Sequence, residues 1–196
     1  MFCLNLLPRK MKKMSNNMLR IVEEYIVFLL GIEDKSCPTI WHLQKEIFIL
    51  TNMNPKAKPL FNFVKHYEGP YSQMLQDSLK EPMYYEEAFE TKQNGEICLT
   101  DQGRKIFADI KNKYAHDDRF SLLLHNLKLI RGIYDKLSKE ELLFLIYITY
   151  PDYIQFSNAY DRLVRDEEKR KQLSRSLLKK GLITAERYEE LIAFVA

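Results

Sequence analysis

The stretch Tyr67-Glu68-Gly69-Pro70-Tyr71-Ser72 decides the fold, because a glycine followed by a proline ends the segment before it. Loose alternation over 60–67 predicts a short strand on its N-terminal side. After the turn, apolar residues recur at helical spacing until Pro82, which predicts a helix. With an earlier helix predicted from Pro38 to Leu50, the order is that of a helix-turn-helix whose second helix is presented to a ligand.

A hairpin follows the predicted presenting helix. Asn94-Gly95 is the dipeptide that most readily adopts the positive φ angles of a tight hairpin turn, and candidate strands over 83–92 and 96–99 flank it. Thr100 is a good N-cap for a helix that continues to about Tyr114. These elements predict the β wing of a winged helix-turn-helix domain.

Helical signals dominate the remaining sequence. Apolar residues over 18–30 predict an amphipathic helix that ends at Gly31, and two prolines argue against regular structure in 52–59. From residue 116 onward helical signals stand alone. They are a capping box of Ser138 and Glu141, a helical segment over 153–180 in which an interruption is allowed, a helix over 185–194, a C-terminal Gly181 and a capping Thr184.

The sequence therefore predicts a mainly α protein with a small β wing. Its predicted parts are a flexible basic tail (1–15), a winged helix-turn-helix domain (16–115) and a helical C-terminal domain or extension (116–196). A homodimer through the C-terminal helices is one possible assembly of such a chain.

Composition limits the classes of protein. A content of 46% hydrophobic and 29% charged residues is typical of a globular chain. The formal net charge of +3 is too small to attract nucleic acid by itself, so a charged partner must be recognised locally. The widely spaced Cys3, Cys37 and Cys98 favour free thiols, and no apolar run is long enough to span a membrane, so we expect a cytoplasmic protein.

Polar side chains on the presenting helix are the candidates for reading DNA. Gln73, Gln76 and Lys80 are placed on its exposed face, and Lys92 on the wing is placed to contact phosphate. Counterion release scales with the number of phosphates neutralised, so this face predicts weak affinity for a duplex. The carboxylates that would repel phosphate nearby are Asp77, Glu81, Glu86, Glu87 and Glu90.

Two further basic clusters are candidates for phosphate binding. Three residues that repeat every four positions share one face of a predicted helix: Lys171, Arg175 and Lys179. The alternative for this row is a solvated face balanced by the acidic residues of 166–168. The other cluster belongs to the N-terminal tail and comprises Arg9, Lys10, Lys12 and Lys13.

Aromatic residues offer a different kind of surface. Tyr67, Tyr71, Tyr84 and Tyr85 would act as rigid amphipathic anchors for a protein partner if they were exposed together. The alternative is packing, because a small domain needs large side chains to bury enough area.

Nothing in the sequence has the pattern of a catalytic site. Cys37 and His42, and likewise the group formed by 116–118 and His125, match no metal-ligand spacing. The fingerprints of serine hydrolases, P-loop enzymes and dinucleotide-binding enzymes are missing as well. We therefore predict no catalytic residue, no metal and no cofactor.

Three motifs carry a resemblance to a known family. They are His42-Leu43-Gln44-Lys45-Glu46-Ile47-Phe48, Phe63-Val64-Lys65-His66-Tyr67-Glu68-Gly69-Pro70-Tyr71-Ser72 and Leu99-Thr100-Asp101-Gln102-Gly103-Arg104. Their order resembles that of YwgA-like winged-helix proteins and, more distantly, the Panacea domain associated with toxin neutralisation. The likeness covers 18–114 and implies a prokaryotic, non-enzymatic regulator or partner-binding protein.

Two functional hypotheses follow. In the first, the protein is a DNA-binding transcriptional regulator whose presenting helix enters the major groove. In the second, it is a protein-interaction module such as an antitoxin or a subunit of a defence complex.

Overall fold

The computed structural model describes residues 9–193, with side chains from residue 17 onward. The helices are α1 (Arg9–Gly31), α2 (Ile40–Met53), α3 (Lys58–Phe61), α4 (Gln73–Lys80), α5 (Asp101–Lys113), α6 (Asp118–Tyr134), α7 (Lys139–Thr149), α8 (Glu167–Lys179) and α9 (Ala185–Ala193). The strands β1 (Val64–His66), β2 (Gly69–Tyr71), β3 (Phe89–Thr91) and β4 (Ile97–Leu99) pair as two antiparallel hairpins. A mainly helical protein with a small β component is thus confirmed.

The chain forms two compact units whose limits differ from the predicted domain boundaries. The first unit consists of the chain up to Phe63 together with Ser72–Arg131. The second consists of Val64–Tyr71 together with the chain from Gly132 onward. The β1–β2 hairpin therefore belongs to the second unit, and α6 belongs almost entirely to the first.

Helix α1 extends further toward the N-terminus than the sequence suggests. It begins at Arg9, within the segment 1–15 that we predicted to be a basic tail, and residues 1–8 lie outside the described part of the chain. The amphipathic helix predicted over 18–30 is confirmed. Val22, Ile26 and Leu29 are fully buried at helical spacing and form one stripe at the centre of the first unit.

A buried ion pair explains why α6 belongs to the first unit. The guanidinium of Arg131 donates to the backbone carbonyls of Lys35 and Ser36 at 2.9 and 3.0 Å, and it lies 3.6 Å from the Glu46 carboxylate. Arg131 and Glu46 are 1% and 0% exposed. Separating such a pair leaves a charge buried without its counter-ion, so the end of α6 is held against the middle of α2 and the link before it.

One side chain joins α2 to the start of α4. The side-chain amide of Gln44 donates to the Ser72 carbonyl, and the Ser72 N–H donates to the Gln44 side-chain oxygen, both at 2.9 Å. The Ser72 hydroxyl caps α4 by accepting from the Leu75 N–H at 3.2 Å, and it donates to the Phe61 carbonyl at 2.5 Å. Gln44 and Ser72 are 2% and 0% exposed, so these bonds stand in place of water.

The strand predicted over 60–67 is wrong for most of its length. Pro59 lies in the first turn of α3, where a missing N–H is tolerated, and Asn62 ends that short helix in the left-handed region at φ 46°. Both ends of the segment 52–59, predicted to be irregular, are therefore helical. Strand β1 begins only at Val64.

The Gly69-Pro70 pair lies inside a strand and does not end one. His66 is paired with Gly69, and Val64 with Tyr71, around a turn at Tyr67-Glu68. Gly69 has a φ of 80°, which suits glycine at the exit of this tight turn. The presenting helix then begins at Gln73, as α4, and not at Tyr71.

The predicted hairpin at Asn94-Gly95 is confirmed, with strands shorter than the predicted segments. Phe89 is opposite Leu99, and Gly95 takes a φ of 86° in the loop between β3 and β4. On the far side of β4, Ile97 exchanges two backbone hydrogen bonds of 2.7 and 3.0 Å with Cys37. The link between α1 and α2 therefore lies alongside the hairpin.

Local capping signals in the second unit match the prediction. The reciprocal bonds of a capping box join Ser138 and Glu141 at the start of α7. Gly181 ends α8 at φ 69°, with a bond from the Leu182 N–H to the Leu177 carbonyl. The Thr184 hydroxyl accepts from an N–H in the first turn of α9.

The helical segment predicted over 153–180 contains the interruption that the sequence allows. A 3₁₀ turn at Pro151–Tyr153 and a π-helical turn at Asp161–Arg165 precede α8, which is regular only over Glu167–Lys179. Asp166 caps α8 by accepting from the Lys169 N–H. Helix α9 runs to Ala193, so residue 194 of the last predicted helix lies outside the described residues.

Glu141 also connects α7 to the end of α8. Its carboxylate accepts hydrogen bonds of 2.7 Å from the Ser138 N–H, 2.5 Å from the Ser176 hydroxyl and 2.7 Å from the Lys180 ammonium. Burial by itself would raise the pKa of Glu141, but these donors outweigh burial and lower the pKa to about 2.

Replacing Gln44 by leucine tests the joint between α2 and α4. Gln44→Leu leaves the buried N–H of Ser72 without a partner, while the Ser72 carbonyl still accepts from the Gln76 N–H at 3.1 Å. One such unpaired group costs about 1–3 kcal/mol, so the free energy of unfolding should fall by about 1–3 kcal/mol. Urea denaturation followed by circular dichroism measures the change. Gln93→Leu, in the exposed hairpin loop, is the matched control and should change stability by less than about 0.5 kcal/mol. Equal losses in the two variants would contradict the assigned role of Gln44.

The lowered pKa of Glu141 predicts a stabilisation that is lost in acid. Because the folded-state pKa lies below its ordinary value of 4.5, the carboxylate stabilises the native state above pH 4.5, and this contribution disappears as the pH falls toward about 2. The urea midpoint of the wild type should therefore fall more steeply across this window than that of Glu141→Gln. The control Glu189→Gln removes an exposed carboxylate and should follow the wild type. Parallel curves for wild type and Glu141→Gln would refute the prediction.

Candidate nucleic-acid or partner interface

Helix α4 and the β3–β4 hairpin border a groove in the first unit with a volume of about 610 Å³, which we call the α4–wing groove. Its apolar lining comes from four side chains: Ile40, Leu79, Pro82 and Phe89. The other lining residues are Thr39, Gln76, Lys80, Glu86, Glu90, Thr91 and Gly95. Of the residues predicted to read DNA, Gln76 and Lys80 line this groove, whereas Gln73 and Lys92 do not.

A buried carboxylate fixes the loop that forms one wall of the α4–wing groove. Glu23 of α1 is 0% exposed and accepts hydrogen bonds from the N–H groups of Met83, Tyr84 and Tyr85 at 2.8, 2.9 and 2.9 Å. Bonds to a charged acceptor are stronger than neutral ones, so these three hold the loop firmly. The lining residues Pro82 and Glu86 flank the three anchored residues, so Glu23 positions them.

The charges around the α4–wing groove do not form a positive surface. Lys80 is the one cation among the described residues that line it, and it is outnumbered by Glu86 and Glu90. On the β3–β4 hairpin, Lys92 lies 3.7 Å from the Glu96 carboxylate. The side-chain amide of Gln73 donates to Asp77 at 2.7 Å. Lys92, predicted to contact phosphate, and Gln73, predicted to contact bases, are therefore each already paired with a carboxylate.

The second basic row lies on α8 among acidic partners. Lys171 forms an ion pair of 2.5 Å with Glu167, while Arg175 and Lys179 are exposed. Two neighbouring lysines are likewise paired with carboxylates, Lys169 with Glu140 and Lys180 with Glu141. The surface of α8 therefore carries both charges, which agrees with the alternative prediction of a solvated face balanced by acidic residues. The side chains of the other basic cluster, at 9–13, lie outside the described residues.

The four tyrosines predicted as partner anchors are divided between the two units. Tyr67 and Tyr71 belong to the second unit, and Tyr84 and Tyr85 to the first. Tyr67 and Tyr84 are 59% and 39% exposed. The Tyr85 hydroxyl donates to Glu24 at 3.0 Å, and burial together with this carboxylate raises the pKa of Tyr85 to about 12. Neither unit contains the whole predicted cluster.

The candidate metal ligands serve local structure. The His42 ring is hydrogen-bonded to the Thr39 hydroxyl at 2.9 Å, and Asp117 accepts from the Phe120 N–H at 3.2 Å at the start of α6. Within residues 9–193, no three histidine, cysteine, aspartate or glutamate side chains are grouped closely enough to hold a metal ion. No helix in the same part of the chain has the length and apolar character needed to cross a membrane.

Sequence reasoning missed most of the apolar groove lining. Ile40 and Leu79 lie within predicted helices, Phe89 lies in the predicted strand segment 83–92, and Pro82 ends the predicted presenting helix. None of the four was predicted to bind a partner. The available signal was weak, because an apolar side chain that borders a groove and one that lies in a core have the same place in a helical or strand pattern.

Comparisons of this chain with protein-family models, with curated proteins and with solved structures found no match. The resemblance to YwgA-like and Panacea proteins therefore remains a prediction. The α4–wing groove and its charges are the features of the first unit that bear on what the chain binds.

Proposed function

We propose that the first unit is a winged helix-turn-helix domain. In this assignment α1, α2 and α4 are its helices and β3–β4 is its wing. The order of the elements supports the assignment, as does the bridge between Cys37 and Ile97, which ties the wing to the link between the first two helices. Gln44 belongs to the motif 42–48 and Ser72 to the motif 63–72, two of the three motifs that carry the family resemblance. The hydrogen bonds between these residues give the two motifs a shared structural role.

The proposed activity is non-enzymatic binding of a protein partner in the α4–wing groove. One observation carries this proposal: the groove is lined by apolar side chains, and Glu86 and Glu90 outnumber Lys80 among its charged residues. Apolar surface with a few charged groups suits a polypeptide segment. An antitoxin or a subunit of a defence complex in the cytoplasm is the role that fits both this groove and the resemblance.

The DNA-binding regulator is the less favoured hypothesis. Duplex affinity depends on the number of phosphates that cations neutralise. On this face Lys92 is paired with Glu96, and Lys80 shares the groove with two carboxylates. The same face would therefore repel the phosphate backbone that it has to approach.

Selection of random dodecapeptides on phage against the immobilised full chain tests the proposal. We expect enriched peptides, and we expect Leu79→Arg to weaken their binding at least about tenfold, because it places a charge in the apolar lining. Gln93→Arg adds the same charge to the exposed hairpin loop and should bind like the wild type. Fluorescence anisotropy of the labelled peptides gives the dissociation constants.

The second arm of the test uses a random-sequence DNA duplex of about 30 base pairs at about 50 mM salt, where even non-specific DNA-binding proteins retain measurable affinity. We expect no binding. The proposal is overturned if no peptide is enriched, or if the enriched peptides bind Leu79→Arg as tightly as the wild type. Duplex binding that weakens steeply with salt would then favour the regulator.

A further inference from the structure

Strand β3 has an open outer edge. In an antiparallel pair, the backbone groups of successive residues point alternately toward the partner strand and away from it. The Ala88 carbonyl and the Lys92 N–H bond across the hairpin at 3.0 and 2.8 Å, so Glu90 also faces β4, whereas Phe89 and Thr91 direct their N–H and carbonyl groups outward. Within residues 9–193, these four outward groups have no hydrogen-bond partner.

The outer edge of β4 is occupied, in contrast to that of β3. There Ile97 exchanges both of its outward backbone bonds with Cys37. The hairpin thus has one closed edge and one open edge. The open edge borders the α4–wing groove, because all three residues of β3 line it.

We propose that an extended basic segment of the protein partner pairs with β3 as an added strand; this inference rests on the function proposed above. Its main chain bonds to Thr91, which is exposed, whereas Phe89 is only 7% exposed, and its apolar side chains enter the groove beside Leu79 and Pro82. Strand addition takes affinity from main-chain hydrogen bonds and specificity from the pockets that receive alternate side chains.

Charge determines which segment fits. Glu86 and Glu90 line the groove together with Lys80, and Asp77, Glu81 and Glu87 lie exposed on the same stretch of chain. A segment that carries lysine or arginine is attracted by this surface, and an acidic segment is repelled. Because β3 has only three residues, main-chain pairing alone is weak, and the side-chain contacts add the remaining affinity.

Thr91→Pro separates strand addition from other kinds of binding. Proline removes the outward N–H of residue 91 and leaves the bonds to β4 intact, since proline is tolerated at outward-facing positions of an edge strand. Thr91→Val keeps the N–H and is the matched control. We expect the enriched dodecapeptides to bind Thr91→Pro at least about tenfold more weakly than they bind Thr91→Val, because the two variants lose the same hydroxyl and differ in the backbone N–H.

Amide hydrogen exchange in the wild type gives a second readout that does not depend on a folded proline variant. Binding of an enriched peptide should slow the exchange of the Thr91 N–H at least about tenfold, because this group gains a partner. The Glu90 N–H, which already faces β4, should change much less. The same measurement in about 0.5 M salt should show weaker peptide binding, because salt screens the attraction to Glu86 and Glu90.

Each outcome decides a separate claim. Unchanged exchange at Thr91 in the bound state, or a folded Thr91→Pro variant that binds like Thr91→Val, overturns strand addition and leaves protein binding in the groove intact. Enriched peptides rich in aspartate and glutamate overturn the basic character of the segment. Failure to enrich any peptide removes the proposed function and this inference together.

Discussion

The geometry of the α4–wing groove depends on the hydrogen bonds between the Gln44 side chain and the backbone of Ser72. A primary amide carries one acceptor and a donor group, and here it satisfies the N–H and the carbonyl of a single buried residue at 2.9 Å each. Because Ser72 also caps α4, the bond fixes where that helix begins and how it is held against α2. Glu23 then holds the loop after α4, so both ends of the helix are fixed by buried polar groups.

Charge pairing gives this face its chemical character. The cations that the sequence offers on this face are few and partly paired: Lys92 with Glu96 on the β3–β4 hairpin, and Lys80 beside Glu86 and Glu90 in the groove. Exposed pairs of this kind add little to stability, but they reduce the positive charge that a phosphate would meet. An apolar groove with a carboxylate-rich rim and an open strand edge is better suited to a polypeptide than to a duplex.

Signals that involve only a few neighbouring residues were predictable. The capping box at Ser138, the glycine end of α8 and the hairpin loop at Asn94-Gly95 each depend on residues within one turn of the chain, and all three are confirmed. The segment 60–67 failed for the opposite reason. A short apolar run fits helix or strand equally well, and here Pro59 lies in the first turn of a helix while the partner strand begins at Gly69.

The sequence by itself determined the helical class, several capped helix ends, the β3–β4 hairpin and the kinds of residue available at the candidate site, because these follow from local propensity and spacing. Only the tertiary structure decided that the β1–β2 hairpin belongs to the second unit, that Glu23 anchors the loop after α4, and that one edge of the wing is closed by Cys37 while the other stays open. Such contacts join residues about 60 positions apart in the chain, as in Glu23 with Met83, and no local pattern encodes which distant partner a buried polar group will find.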